Sequence, residues 1–179
     1  MSTPKIPEPG KLILSILSSK WSHFWPALQS DLEIEFGPVD YITDIIDFTE
    51  TRYYDHELGV PIFRRILTFS PLLPLDRLVD TKLFTNTLEN KHLSNGKRIF
   101  NLDPGLITLE RLVLATGKNF THRIYLSQGI WADLTMIYTK GDWKALDWTF
   151  PDYASSRIKH HLRIIRNNYY KQLNMGKEN

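Results

Sequence analysis

Apolar positions recur at short, regular spacings along most of this chain. Lys11-Leu12-Ile13-Leu14-Ser15-Ile16-Leu17 is a compact apolar run whose length predicts a buried strand. Phe24, Leu28, Leu32 and Phe36 then recur every four residues, which predicts one apolar helix face. Ser22 is the expected cap of that helix, Pro26 is placed in its first turn, and Gly37-Pro38 is the stop. Tyr41 to Phe48 reads as a strand with Ile42, Ile46 and Phe48 on one face. Ile62 to Phe69 reads as the next strand, before Pro71 and Pro74 break the pattern. Leu75 to Leu93 predicts a second long helix, ended by Ser94-Asn95-Gly96. Arg98 to Asp103 predicts a strand that enters a Pro104-Gly105 turn.

Strand, helix, strand, strand, helix, strand is the order of a ferredoxin-like βαββαβ core. The predicted class is therefore α+β, since each helix must cover one face of the sheet. A β-meander extends the core, with strands near 110–115, 123–127, 130–138 and 143–146. Gln128-Gly129 and Lys140-Gly141-Asp142 supply its turns. A final helix is expected from Pro151 or Asp152 to about Leu173, with Ile158, Leu162, Ile165, Tyr169 and Leu173 as its apolar stripe. The expected organisation is a flexible segment at 1–10, one domain over 11–174 and a frayed tail at 175–179.

Composition fits a chain with a real core: 42% hydrophobic and 23% charged over 179 residues. The absence of cysteine excludes disulfides, thiolate nucleophiles and Cys-based zinc sites. The Pro-rich start is unlike a signal peptide, and no apolar run has the length of a membrane span, so a cytoplasmic protein with no membrane partner is expected. The net charge of +2 hides a split. Residues 1–60 hold 4 Lys and Arg against 10 Asp and Glu, whereas 61–120 and 121–179 each hold 9 against 5. Such asymmetry steers anions toward one side.

Candidate chemistry lies in polar clusters set between the predicted strands. Lys118, Asn119, His122 and Arg123 fall within six residues and combine a point charge, an amide, a titrating imidazole and a guanidinium fork. That set suits a phosphate or carboxylate. Asp103, at a predicted strand end, shares a strand face with Asn101. Asp47 is expected to pair with Arg64 or Arg65 on the next strand, or to join Asp103, Asp133 and Asp152 around Mg²⁺. Tyr53, Tyr54 and Trp148 are candidate walls for a base or sugar. Lys159, Arg163 and Arg166 form a basic stripe on the final helix, a candidate surface for nucleic acid.

Asp103-Pro104-Gly105, Leu114-Ala115-Thr116-Gly117-Lys118-Asn119, His122-Arg123-Ile124-Tyr125-Leu126 and Trp148-Thr149-Phe150-Pro151-Asp152-Tyr153 occur in fixed order. The set resembles a bacterial family of similar length known as a domain of unknown function, some of whose members carry a GTP-binding label. The resemblance runs from about Lys11 to Leu173 and includes Phe48-Thr49, Tyr53-Tyr54 and Glu57. Leu106, Gly117 and Phe150 depart from the family pattern, which has Tyr, Thr and Tyr there. The resemblance lends no established activity. A GTPase of the usual type is not expected, because Leu112 replaces the first Gly of a phosphate-binding loop and Asn119 its Ser or Thr.

The expected function is binding of a phosphorylated or nucleotide-like small molecule. Lys118, Asn119 and Arg123 would hold the anion, with Asn101, Tyr53, Tyr54 and Trp148 around the rest. Were it an enzyme, His122 would exchange the proton and Asp103 would orient it or hold a metal. The alternatives are an RNA- or protein-binding module using the sheet and basic helix, and a metal-dependent phosphoryl-transfer or hydrolytic enzyme. No cofactor or resident metal site is assigned.

Overall fold

The computed structural model describes residues 1–175; the part of the expected tail at 176–179 lies outside the described residues. The elements are β1 (Gly10–Ser18), α1 (Trp21–Phe36), β2 (Val39–Ile42), β3 (Ile46–Asp47), α2 (Asp55–Leu58), β4 (Phe63–Leu73) and α3 (Leu78–Lys91). They continue as β5 (Leu93–Ser94), β6 (Lys97–Arg98), β7 (Asn101–Ile107), β8 (Arg111–Thr116), β9 (Arg123–Ser127), β10 (Ile130–Thr139), β11 (Asp142–Ala145) and α4 (Ser156–Met175). No helix of the described residues is long and apolar enough to cross a membrane.

One antiparallel sheet runs β11-β10-β8-β7-β1-β4-β2, with β3 added on β4 and β9 on β10. Its β7-β1-β4-β2 part is the fourth, first, third and second strand of a ferredoxin-like βαββαβ unit. The meander widens it on the β7 side, as expected. On one face Leu12, Leu14 and Ile16 of β1 meet Phe24, Leu28, Leu32 and Phe36 of α1 and Leu78 and Leu88 of α3. On the other face Ile13, Ile66, Ile107, Leu112 and Met136 meet Ile158, Leu162, Ile165 and Tyr169 of α4. The period-2 alternation of β1 thus splits two cores, because successive side chains leave a strand on opposite faces.

Several local expectations are corrected. α1 starts at Trp21 without a side-chain cap, so Ser22 is already inside it, and Pro26 lies past the first turn. The single strand expected over 41–48 is broken: β2 and β3 follow separate registers on β4, and Ile42, the last residue of β2, is exposed. Pro71 does not end β4, which continues to Leu73. Ser94-Asn95-Gly96 belongs to the β5–β6 hairpin, with Asn95 and Gly96 both at positive φ as a two-residue primed turn requires. α4 starts at Ser156, so Asp152 does not sit at its N-terminus, and the helix takes in Met175, which the expected tail included.

The largest correction concerns Asp103-Pro104-Gly105, which is strand and not turn. Ser15, Leu14 and Ile13 of β1 lie opposite these three residues in turn. Pro104 is tolerated because β8 pairs with β7 only from Gly105 onward. Leu102, two residues earlier, points both backbone groups away from β1, where α3 takes them: Lys82 Nζ donates to its carbonyl at 2.8 Å, and its N–H donates to Glu89 Oε1 at 2.6 Å. By the two-residue repeat, the missing N–H of Pro104 faces that same open edge. Gly105 answers a different need. A Cβ there would stand 2.6 Å from Leu114 Cδ2 and 2.7 Å from the Val113 carbonyl oxygen.

Candidate functional site

The sheet face covered by α4 is left open toward the C-terminal end of β1. There Arg64 of β4, Leu17 of β1 and Asn101 of β7 stand side by side in one row. Directly opposed residues of an antiparallel pair share a face, so all three point the same way. This row is the floor of a cleft of about 670 Å³. The loop after β3 supplies Tyr53 and Tyr54, α3 supplies Lys82, Asn86 and Glu89, and the segment after β8 supplies Gly117 and Lys118. Asp133 of β10 and Phe150 to Tyr153 complete the wall.

Of the residues expected to form a site, Tyr53, Tyr54, Asn101, Asp103, Lys118 and Arg123 line this cleft. The Asn101–Asp103 partnership read from the strand face is present: Asn101 Nδ2 donates to Asp103 Oδ2 at 2.6 Å. Asn101 Oδ1 accepts from Arg98 Nη1 at 2.7 Å, which fixes the direction of the amide. Arg98 in turn grips Glu57 with Nε and Nη2, both at 2.7 Å, and reaches Glu89 at 3.1 Å. The hydrogen bond from Arg98 holds the Glu57 carboxyl below its usual range, while burial pushes Glu89 up.

Lys118, Asn119, His122 and Arg123 do not act as one cluster. Arg123 Nε donates to Asp133 Oδ2 at 2.9 Å and its Nη1 to the Lys118 carbonyl at 2.9 Å. His122 Nε2 meets the same Asp133 oxygen at 3.1 Å, and its ring stacks on Trp148 with centroids 4.9 Å apart. Asp133, Arg123 and His122 therefore form a largely buried internal triad, not a free anion cradle. Trp148 gives its indole N–H to the Leu134 carbonyl at 2.7 Å. His122, Trp148 and the exposed Asn119 lie outside the cleft lining. Lys118 remains at the cleft mouth. Its Nζ donates to the Tyr53 hydroxyl at 2.8 Å, and that bond draws the Tyr53 phenol below its ordinary value.

Arg64 is the residue that sequence reasoning misplaced. Its expected partner was Asp47, but its Nη2 pairs with Asp152. Arg65 instead lies near the rings of Trp21 and Trp25, at 5.7 and 5.8 Å. Phe48 and Tyr153 pack on the Arg64 guanidinium, 5.0 and 4.9 Å from its central carbon. The residue is 4% exposed. Its Nε and Nη1 are buried and find no hydrogen-bond partner among the described residues. Lys82, Glu89 and Asn86 were also missed. The available signal was charge inside the buried face of α3: Lys82 and Glu89 are two turns apart and fall among Leu78, Thr85 and Leu88.

The four aspartates weighed as a Mg²⁺ site do not gather. Among the described residues no three His, Asp or Glu side chains come together as a metal-ligating group. Two of the three residues of the basic stripe on α4 have partners within the chain. Arg163 grips Asp142 at 2.8 and 3.2 Å, and Arg166 donates to the Leu109 carbonyl at 2.9 Å while lying over the Tyr138 ring.

Fold and site together define an α+β protein whose ferredoxin-like sheet carries a charged cleft beside its last helix. Residues 8–169 match the family described as a domain of unknown function (DUF4416), and the chain belongs to that family. No curated protein and no solved structure matches it.

Proposed function

We infer that the cleft binds a small phosphorylated molecule, with the anion held by Arg64 and Lys118. The observation that carries this reading is the pair of buried Arg64 donors with no acceptor among the described residues. Buried polar groups in native proteins are nearly always bonded, and each exception calls for an explanation, of which a bound anion is one. A guanidinium fork matches two oxygens of a phosphate or carboxylate. Asp152 already occupies the third nitrogen and anchors the fork in place. Lys118 adds a second cation whose hydrogen-bond partner is a neutral phenol.

Both free Arg64 nitrogens are closed to bulk water. Engaging them requires the packing of Phe48 and Tyr153 to shift, so binding should perturb the aromatic signals of the protein. The apolar patch of Leu17 and the Tyr54 ring give the body of the ligand a surface to cover. Thermal denaturation against a panel of phosphate esters, sugar phosphates and nucleotides tests this function. At a hundred times its Kd a ligand stabilises by about 2.7 kcal/mol, a readable rise in Tm. Arg64→Lys keeps the charge beside Asp152 but loses the fork, and should abolish the rise. No rise for any phosphorylated compound would refute the reading.

A further inference from the structure

Resting on that binding reading, we propose that Asp103 receives a hydroxyl hydrogen of the ligand, so that the cleft selects phosphorylated polyols or sugars over simple phosphate esters. The Asp103 side chain is 33% exposed in the cleft wall, although its partners hold both oxygens. Oδ2 accepts from Asn101 at 2.6 Å, and Oδ1 accepts from Lys82 at 3.4 Å. Each carboxylate oxygen has room for a second hydrogen bond. The remaining acceptor positions are therefore preset, without a side-chain rotation to be frozen on binding.

The orientation is enforced from behind. Arg98 bonds the Asn101 oxygen, so the amide must offer its NH₂ to Asp103. Arg98 is itself locked by Glu57 and Glu89. Arg98 and Asn101 are positioning residues for Asp103. The Lys82 ammonium at Oδ1 already gives Asp103 a counter-charge, so the donor it still has room for need not carry one, as a hydroxyl does not.

Spacing sets the ligand's shape. Asp103 lies opposite Ser15 and Arg64 opposite Leu17, on the same face and two strands apart. Two strand separations of about 4.8 Å and an offset of two residues along the strands, about 6.8 Å, place their backbones about 12 Å apart. Side chains close much of that gap over Leu17, which leaves room for a short carbon skeleton with an anion at one end and a hydroxyl at the other. Asn86, on the α3 side, offers further polar contact.

Isothermal titration calorimetry with glycerol 3-phosphate and n-propyl phosphate separates the two claims. The wild-type chain should bind glycerol 3-phosphate at least ten-fold tighter than propyl phosphate. Asp103→Asn should bring that ratio close to one. A lost structural role would instead weaken both probes together. Equal binding of the two probes by wild type, or a preference that survives Asp103→Asn, overturns the role of Asp103 but leaves anion binding standing. If neither probe binds, the selection assigned to Asp103 is overturned, and the anion reading stands or falls on the wider panel of phosphorylated compounds.

Discussion

Lys82 and Leu102 stand in a relationship usually reserved for two neighbouring strands. The ammonium of a helix residue takes a strand carbonyl at 2.8 Å, at the stretch of β7 that β8 does not reach. Glu89 takes the N–H of the same residue. The helix thereby substitutes for a ladder, and the edge of β7 is closed without adding a strand over the cleft. Lys82→Met should leave the carbonyl buried and unbonded, a loss of about 1–3 kcal/mol. Urea denaturation should show a lower midpoint at an unchanged slope. A midpoint equal to wild type would contradict this role.

Gly105 provides a second stability test. Gly105→Ala would force its Cβ against Leu114 and the Val113 carbonyl, so β7 and β8 must part. The expected cost is about 1–3 kcal/mol, typical of overpacking. Gly117→Ala is the control, since nothing lies within 4 Å of a Cβ there. The control should stay within about 0.5 kcal/mol of wild type. Equal effects at the two glycines would argue against close strand approach at Gly105.

These two residues also mark where the sequence stopped being legible. The apolar run of β1, the four-residue spacing of α1 and the stripe on α4 are local signals, and each lay where its pattern put it. Pro104-Gly105 carries the same letters as a tight turn. Only the pairing with β1, a nonlocal fact, makes it a strand, and the late start of β8 on β7 is what admits the proline. The site divided in the same way. Asn101 and Asp103 could be joined by counting along one strand. Arg64 and Asp152 are 88 positions apart, and no local pattern links them. The Lys118–Arg123 cluster misled because proximity in sequence suggested one binding unit, whereas the fold gives Asp133 to Arg123 and His122 and leaves Lys118 at the cleft.

The Arg163–Asp142 pair should appear in the acid limb of stability. The Arg163 hydrogen bond lowers the Asp142 carboxyl to about 2 from an ordinary 3.8. A carboxyl depressed by folding stabilises above its unfolded value, and that contribution fades as pH falls from about 4 to about 2. The Tm difference between wild type and Asp142→Asn should be constant above pH 5 and shrink below pH 4. A difference that does not change across this range would remove the pair from the acid response.

Tyr53 should report on Lys118. The Lys118 hydrogen bond lowers the Tyr53 phenol from its ordinary 10.0, so it ionises at a lower pH than a free tyrosine. Lys118→Met should return it upward, read by NMR of the labelled Tyr53 ring across the alkaline range. An unchanged titration would mean that the two side chains do not meet in solution.

The central claim, that Arg64 takes the anion of a small phosphorylated ligand, is tested most directly at its own nitrogen. The Nε–H resonance of Arg64 can be followed by ¹⁵N–¹H NMR while glycerol 3-phosphate is added. A saturable shift of that resonance, reversed by an excess of inorganic phosphate, is the predicted result. A resonance that stays in place, whether the phosphate ester binds elsewhere or not at all, would contradict it.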